Sequence, residues 1–162
     1  MKNVQRRVIP APPERLGQVI DEITDPGRSV WPRPAWPDLR LDNGPTPGSS
    51  GGHSTIRYTV TAYEPGRRLA FAFNQETGLD GWHELTVTTG ENGRPTLVHT
   101  IEARTTGPMR WRWPLAVRWL HEALVQDLLD NAELAATGTL AHRPARWSPW
   151  VRLLRWWLRP TR

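Results

Sequence analysis

The sequence contains no cysteine in 162 residues. Disulfides, zinc–thiolate centres and cysteine nucleophiles are therefore excluded. Lysine is almost absent too: Lys2 is the single one, and arginine supplies the rest of the 21 basic side chains. No segment approaches the ~18 unbroken apolar residues of a membrane-spanning helix, and the N-terminus has no apolar run of signal-peptide length. A soluble, cytoplasmic protein is the expectation. Familiar chemical signatures are also missing. Gly51-Gly52 lacks the GKS/T or GxGxxG surroundings of a phosphate loop, no HxH or HExxH pattern marks a metal site, and no nucleophile elbow is present. Neither a metal nor an organic cofactor is expected.

The charge that is present is unevenly placed. The formal net charge is +5, yet residues 143–162 hold six arginines and no acid, so the remaining chain is nearly neutral. A nucleic-acid-binding protein needs a basic face on its folded body, and this body has no basic excess. Tryptophan is abundant at ten residues, and four of them (Trp147, Trp150, Trp156 and Trp157) fall in the same basic tail. The length suits one domain with a substantial core.

Residues from Trp113 to Gly138 form the clearest single element. Pro114 suits a first helical turn and Gly138 the residue just past a helix end. Val117, Leu120, Leu124, Leu128 and Ala135 recur at helical spacing on one stripe, with Arg118, Glu122, Asp130 and Glu133 opposite. Upstream, Val4 to Ile9 reads as a strand. A short helix follows from Pro12-Pro13-Glu14, burying Leu16, Val19, Ile20 and Ile23, and stops at Asp25-Pro26-Gly27. Residues 28–53 are irregular and proline-rich, with a possible strand at Asp38 to Leu41 and a flexible stretch after it. From Ser54 the period becomes two. Ile56, Tyr58, Val60 and Ala62 share one face, as do Leu69, Phe71 and Phe73, then His83, Leu85 and Val87, then Leu97, His99, Ile101 and Ala103. Glu64-Pro65-Gly66-Arg67 and Asn92-Gly93 mark turns between them. A run of hairpin-linked strands closed by one long helix is an α+β pattern.

In IPAPPERLGQVIDEITDP, IRYTVTAYEPGRRLAFAF and WPLAVRWLHEALVQDLLDNAE, the chain resembles the START-like superfamily, also called SRPBCC or Bet v 1-like, over about residues 4–137. The resemblance implies a helix-grip fold: a curved antiparallel sheet of six or seven strands wrapped on the C-terminal helix. It divides the chain into a domain at residues 1–138 and an arginine- and tryptophan-rich tail at 139–162. It also implies an apolar pocket between sheet and helix that takes a small hydrophobic molecule, a lipid or polyketide-like metabolite. The superfamily includes carriers, aromatic polyketide cyclases and regulatory members, and no superfamily-wide catalytic motif carries across.

His83 and His99 alternate in phase with apolar neighbours on consecutive strands, so both should point at the concave face. His121 lies beside the helix stripe facing the same space, and Tyr58 is in phase with Ile56 and Val60. Phe71, Phe73, Leu85 and Ile101 on the strands, and Val117, Leu124, Leu128 and Asn131 on the helix, complete the candidate pocket lining. Three imidazoles and a phenol can contact a ligand, serve acid–base chemistry in a cyclase or dehydratase, or simply line the interior with backbone or water partners; three histidines can also bind zinc or another metal, though no metal-site pattern accompanies them. The phase of His53 cannot be read. Asn131 can orient a ligand or bond a carbonyl. Asp127 is a candidate to orient His121, or an edge carboxylate. Trp31 and Trp36 are candidates for a lid over the pocket mouth, or for a packed proline–tryptophan cluster.

In the tail, Ser148 can cap a helix beginning at Pro149. Arg152, Arg155 and Arg159 form a narrow stripe, with Trp150, Val151, Leu153, Leu154, Trp157 and Leu158 over most of the rest. That pattern fits peripheral contact with an anionic membrane surface, a partner subunit, or the domain's own surface.

Overall fold

The computed structural model describes residues 1–90 and 93–158. Its seven strands are β1 (Lys2–Val8), β2 (Arg40–Leu41), β3 (Ser50–His53), β4 (Ile56–Glu64), β5 (Arg68–Phe73), β6 (Leu79–Thr89) and β7 (Pro95–Thr105). They form one antiparallel sheet in the order β1-β7-β6-β5-β4-β3-β2. Helix α1 (Pro13–Asp21) follows β1. The long element after β7 comprises α2 (Met109–Arg112), a π-helical turn (Trp113–Val117) and α3 (Arg118–Thr137), and α4 (Pro149–Trp157) follows it. The curved sheet and long helix are the helix-grip architecture that the resemblance implies, and their α+β class is the one expected from the alternation of strand and helix periods. The Asn92-Gly93 turn lies partly outside the described residues; Gly93 itself has φ +69°.

The long helix differs from the sequence reading in where it begins. It starts at Met109 and runs for 29 residues, about 43 Å. Pro114 is therefore inside it. A proline in a helix interior lacks an N–H and crowds the carbonyl one turn back, and the wider π turn at Trp113–Val117 accommodates it. At the other end Gly138 takes φ +77° and donates its N–H to the Leu134 carbonyl, as expected. Leu115 and Ala135 are exposed, and the buried stripe ends at Ala132 rather than Ala135.

The polar side of α3 is seated on the sheet edge instead of facing solvent. Edge strand β1 turns Asn3, Gln5 and Arg7 inward, and each meets a polar group of α3. Asn3 Nδ2 donates to Glu122 Oε1 (3.0 Å). Gln126 Nε2 donates to Gln5 Oε1 (2.7 Å). Arg7 donates to Asp130 Oδ1 and Glu133 Oε2, both at 2.9 Å, and to Gln126 Oε1 at 3.1 Å. The two acids are buried, and their other oxygens accept the Ala145 and Ala141 amides, which fastens the chain after α3. For Glu133, burial raises the carboxyl pKa, but the Ala141 amide and the Arg7 guanidinium together outweigh it and hold the group below its ordinary value.

The stretch 43–52, expected to be flexible, runs into β3 at Ser50. Gly51 and Gly52 leave no side-chain alternation to detect. They are required because a Cβ on either would overlap the carbonyl oxygens of Arg40 and Ile56 on the adjacent strands. Helix α1 makes a similar close approach to the β4–β5 turn. A Cβ on Gly17 would lie 2.8 Å from Gly66 Cα and O. Asp21 Oδ1 accepts from both Tyr63 Oη and Gly66 N at 2.7 Å, which locks that approach.

Gly17→Ala is expected to destabilise the protein. Helix propensity favours alanine by about 1 kcal/mol, but backbone on both sides of the contact cannot yield, and overpacking costs about 1–3 kcal/mol. A lowered midpoint in thermal or urea denaturation checks this, and an unchanged or raised midpoint would contradict the tight helix–turn contact.

Candidate functional site

Strand register assembles the candidate residues. Phe71 pairs with His83, His83 with Ile101, and Leu85 with His99, so the two histidines sit diagonally on one face of adjacent strands. Tyr58 pairs with Phe73 on the next hairpin. His121 reaches across from α3. The result is a row of rings along the concave face, with centroid separations of 4.6 Å for Tyr58–His83, 5.7 Å for His83–His99 and 5.0 Å for His99–His121. Phe71 and Phe73 stack on His83 at 4.6 and 4.9 Å. Leu85, Leu124 and Leu128 belong to the main apolar cluster beside this row. Ile101 and Val117 belong to a second cluster, built on Leu79, Met109 and Trp113, which adjoins it through Ile56 and Phe73.

Two residues extend the row beyond the sequence reading. His53 lies 6.0 Å from Tyr58 and 5.3 Å from Trp31. It was illegible because β3 is half glycine. Trp113 lies 6.0 Å from His121, placed inward by the π turn. No sequence signal marks that turn except the interior proline.

The row is apolar in its surroundings and uncharged. Burial pushes His53 and His121 down to about 4 from the ordinary 6.5. Burial, with the neighbouring imidazoles, drives His83 and His99 well below their ordinary value. Burial raises the Tyr58 phenol well above its ordinary range. All five groups are therefore neutral at pH 7. Each neutral imidazole presents one N–H donor and one acceptor nitrogen. Among the described residues, His83 Nε2, His99 Nδ1 and His121 Nδ1 are buried and have no hydrogen-bond partner. Such atoms are rare in native interiors and mark places where a partner from outside the chain is needed. Among the described residues no group of three or more His, Asp or Glu has the arrangement of a metal site.

Other candidates point elsewhere. Asn131 Nδ2 donates to the Val30 carbonyl (3.0 Å), so its amide anchors the 28–41 segment. Trp31 is buried beside His53, with Nε1 donating to the Pro37 carbonyl (2.8 Å). Trp36 faces the tail: its Nε1 donates to Asp127 Oδ2 (2.7 Å), which also accepts from Trp147 Nε1 (2.8 Å). Asp127 thus joins two indoles rather than orienting His121. The Arg155 guanidinium lies 4.4 Å from the Trp36 ring centroid and 4.0 Å from that of Trp147. It was expected on the outer stripe with Arg152; two cation–π contacts draw it inward. Arg159 falls outside the described residues. Ser148 caps α4 as expected, its Oγ accepting from Val151 N (3.2 Å), while Val151 is buried against the core. Clefts of about 360 and 310 Å³ lie along α4, outside the row of rings. Among the described residues no helix is long and apolar enough to cross a membrane.

A curved sheet closed over a terminal helix, with its concave face lined by aromatic and uncharged polar rings, defines a helix-grip protein of the START-like type. Residues 1–137 match the family described as polyketide cyclase / dehydrase and lipid transport, and the chain belongs to that family. No curated protein matches the sequence. Among solved structures, a protein of Nitrosospira multiformis is similar at a TM-score of 0.62 and 14% identity, covering 85% of this chain and 97% of that one. The Aha1 dimer of Colwellia psychrerythraea is similar at 0.56 and 19%, covering 83% and 98%. CalU16 of Micromonospora echinospora is similar at 0.52 and 18%, covering 96% and 80%. At these identities the likenesses establish the fold.

The depressed histidines make stability pH-dependent. An unfolded chain protonates its histidines near 6.5, while the folded rings stay neutral well below that, so the unfolded state binds more protons as the pH falls. Stability is full above about 6.5 and declines toward pH 5, by up to about 1.4 kcal/mol per pH unit for each ring that stays neutral. Replacing His83 and His99 with phenylalanine is expected to make the midpoint of thermal denaturation less pH-dependent between 6.5 and 5. An equally steep dependence would show that these rings are accessible to protons in the folded state.

Proposed function

We propose that the chain binds a small, largely apolar molecule carrying oxygen functions, a lipid or polyketide-like metabolite, in the space between the sheet and the long helix. Membership of a family named for polyketide cyclisation and lipid transport supports ligand binding in general. The observation that carries the finer reading is the trio of buried imidazole nitrogens on His83, His99 and His121 without partners among the described residues. They sit between phenyl and aliphatic walls, the combination that orients a hydrophobic ligand through a few polar contacts. Tyr58 adds a neutral phenol to the same face. Trp31, packed on His53 within the irregular 28–41 segment, is the lid that must shift for entry. An apolar cargo also needs a place to load, and the exposed aromatic side of α4 suits a lipid surface.

The second reading is catalysis by the same rings in a cyclase or dehydratase. Ring separations of 4.6 and 5.7 Å set Tyr58, His83 and His99 in one contiguous row, which favours it. Proton-transfer catalysis works best with groups whose pKa lies near the working pH. His121 at about 4 is a weak base at neutral pH, so binding is the better-supported function. A protein-interaction role would dispense with a ligand altogether.

Native mass spectrometry of the protein purified from its own host is expected to show a co-purifying small molecule. With His83→Phe and His99→Phe together, retention of that oxygenated ligand should fall by about tenfold or more, the equivalent of roughly one to two hydrogen bonds, while a plain hydrocarbon probe still binds. Conversion of the molecule by the native chain and not by the variant would establish the catalytic reading. A ligand-free chain that also rejects apolar probes would remove both.

A further inference from the structure

The sequence of the tail fits contact with a membrane, a partner or the domain's own surface. The folded chain presents a larger surface, built from two segments well separated in sequence. On the first half of the long helix, Trp111, Leu115 and Trp119 are exposed at four-residue spacing, which the π turn brings onto one side. On α4, Trp150, Leu153 and Trp157 are exposed at helical spacing and border the apolar cleft of about 310 Å³. Trp111 and Trp157 are 74% and 76% exposed, values unusual for tryptophan in a folded protein.

The two halves are joined by the carbonyls of the irregular turn. Trp150 Nε1 donates to the Leu115 carbonyl (2.9 Å), and Trp119 Nε1 to the Pro114 carbonyl (3.0 Å). These bonds secure two tryptophans against the surface and tie α4 to the long helix. On the far side of α4, the buried Val151 and the Arg155 guanidinium between Trp36 and Trp147 hold it in place. The exposed face is therefore rigid and pre-formed.

Its charge has one sign. Residues 103–121 and 134–158 contain eight arginines and no aspartate or glutamate. Arg110, Arg112 and Arg152 are exposed and form no ion pair among the described residues. A second copy of the chain would bring the same arginines to a two-fold contact and set like charges together. Indole rings flanked by arginine are suited to the boundary between headgroups and acyl chains, where each arginine near an anionic leaflet is attracted and each buried apolar side chain adds to binding.

We propose that the joint face of the long helix and α4, centred on Trp111, Trp119, Trp150 and Trp157, docks on an anionic lipid surface. It deepens the carrier reading, on which it rests for the identity of the cargo but not for the docking itself. The arrangement also gives docking a route to the lid, because the residues that hold α4 include Trp36 of the 28–41 segment.

The test is co-sedimentation of the full chain with phosphatidylcholine vesicles, with and without phosphatidylglycerol, beside depth-dependent quenching of tryptophan fluorescence by brominated lipid. Binding to the anionic vesicles is expected, with quenching from the acyl-chain boundary and about tenfold weaker binding to the neutral ones, as losing one or two arginine–lipid attractions implies. Trp111→Ser with Trp157→Ser, both highly exposed and so harmless to the fold by circular dichroism, should abolish sedimentation. His83→Phe with His99→Phe should leave it intact, so that loss of ligand and loss of docking are read separately. A native chain that stays in the supernatant, a double tryptophan variant that binds as before, or equal binding to both vesicles would overturn the proposal. So would a dimer that dissolves in the same tryptophan variant without any vesicle binding, which would assign the face to a second copy.

Discussion

The arrangement depends on one largely enclosed guanidinium. Arg7 reaches from the edge strand to Asp130 and Glu133 on the long helix, both at 2.9 Å, with its side chain only 15% exposed. Removing charges from water is costly, and a buried pair is tolerable only when every oxygen finds a partner. Here the remaining carboxylate oxygens take the amides of Ala141 and Ala145. One ionic contact thus fixes the register of helix against sheet and the path of the chain that carries α4. His142, close to both acids, adds a further partner at the same point.

Among the described residues, the buried acids are Asp130 and Glu133, both at the β1 edge. The concave face beyond β7 carries imidazoles, a phenol and phenyl rings, all neutral at pH 7. This segregation leaves the row of rings without a charge. A charged group in the row would demand a counter-charge, whereas a neutral imidazole demands only a hydrogen bond.

The outer layer follows from the same helix. Its π turn at Trp113–Val117 directs Trp113 inward toward His121 and offers carbonyls outward to Trp119 and Trp150. A single irregularity, caused by Pro114, therefore contributes a ring to the interior row and organises the aromatic exterior. The Trp36–Arg155–Trp147 stack and the shared Asp127 carboxylate connect that exterior to the segment over His53.

The periodicities of two and 3.6, read residue by residue, were enough for the α+β class, the hairpin order, the long helix and the inward phase of Tyr58, His83, His99 and His121. Those features are encoded locally, because alternation and helical spacing report directly which side chains share a face. Tertiary structure alone decided the rest. β3 was hidden because glycine carries no phase, and His53 was hidden with it. Glu122, Asp130 and Glu133 look like a solvated stripe until an edge strand supplies Asn3, Gln5 and Arg7 to meet them. Arg155 looks like its neighbour Arg152 until two indoles distant in sequence close on it. In each case the partner lies on another element, and a residue's pattern along its own segment carries no record of what packs against it.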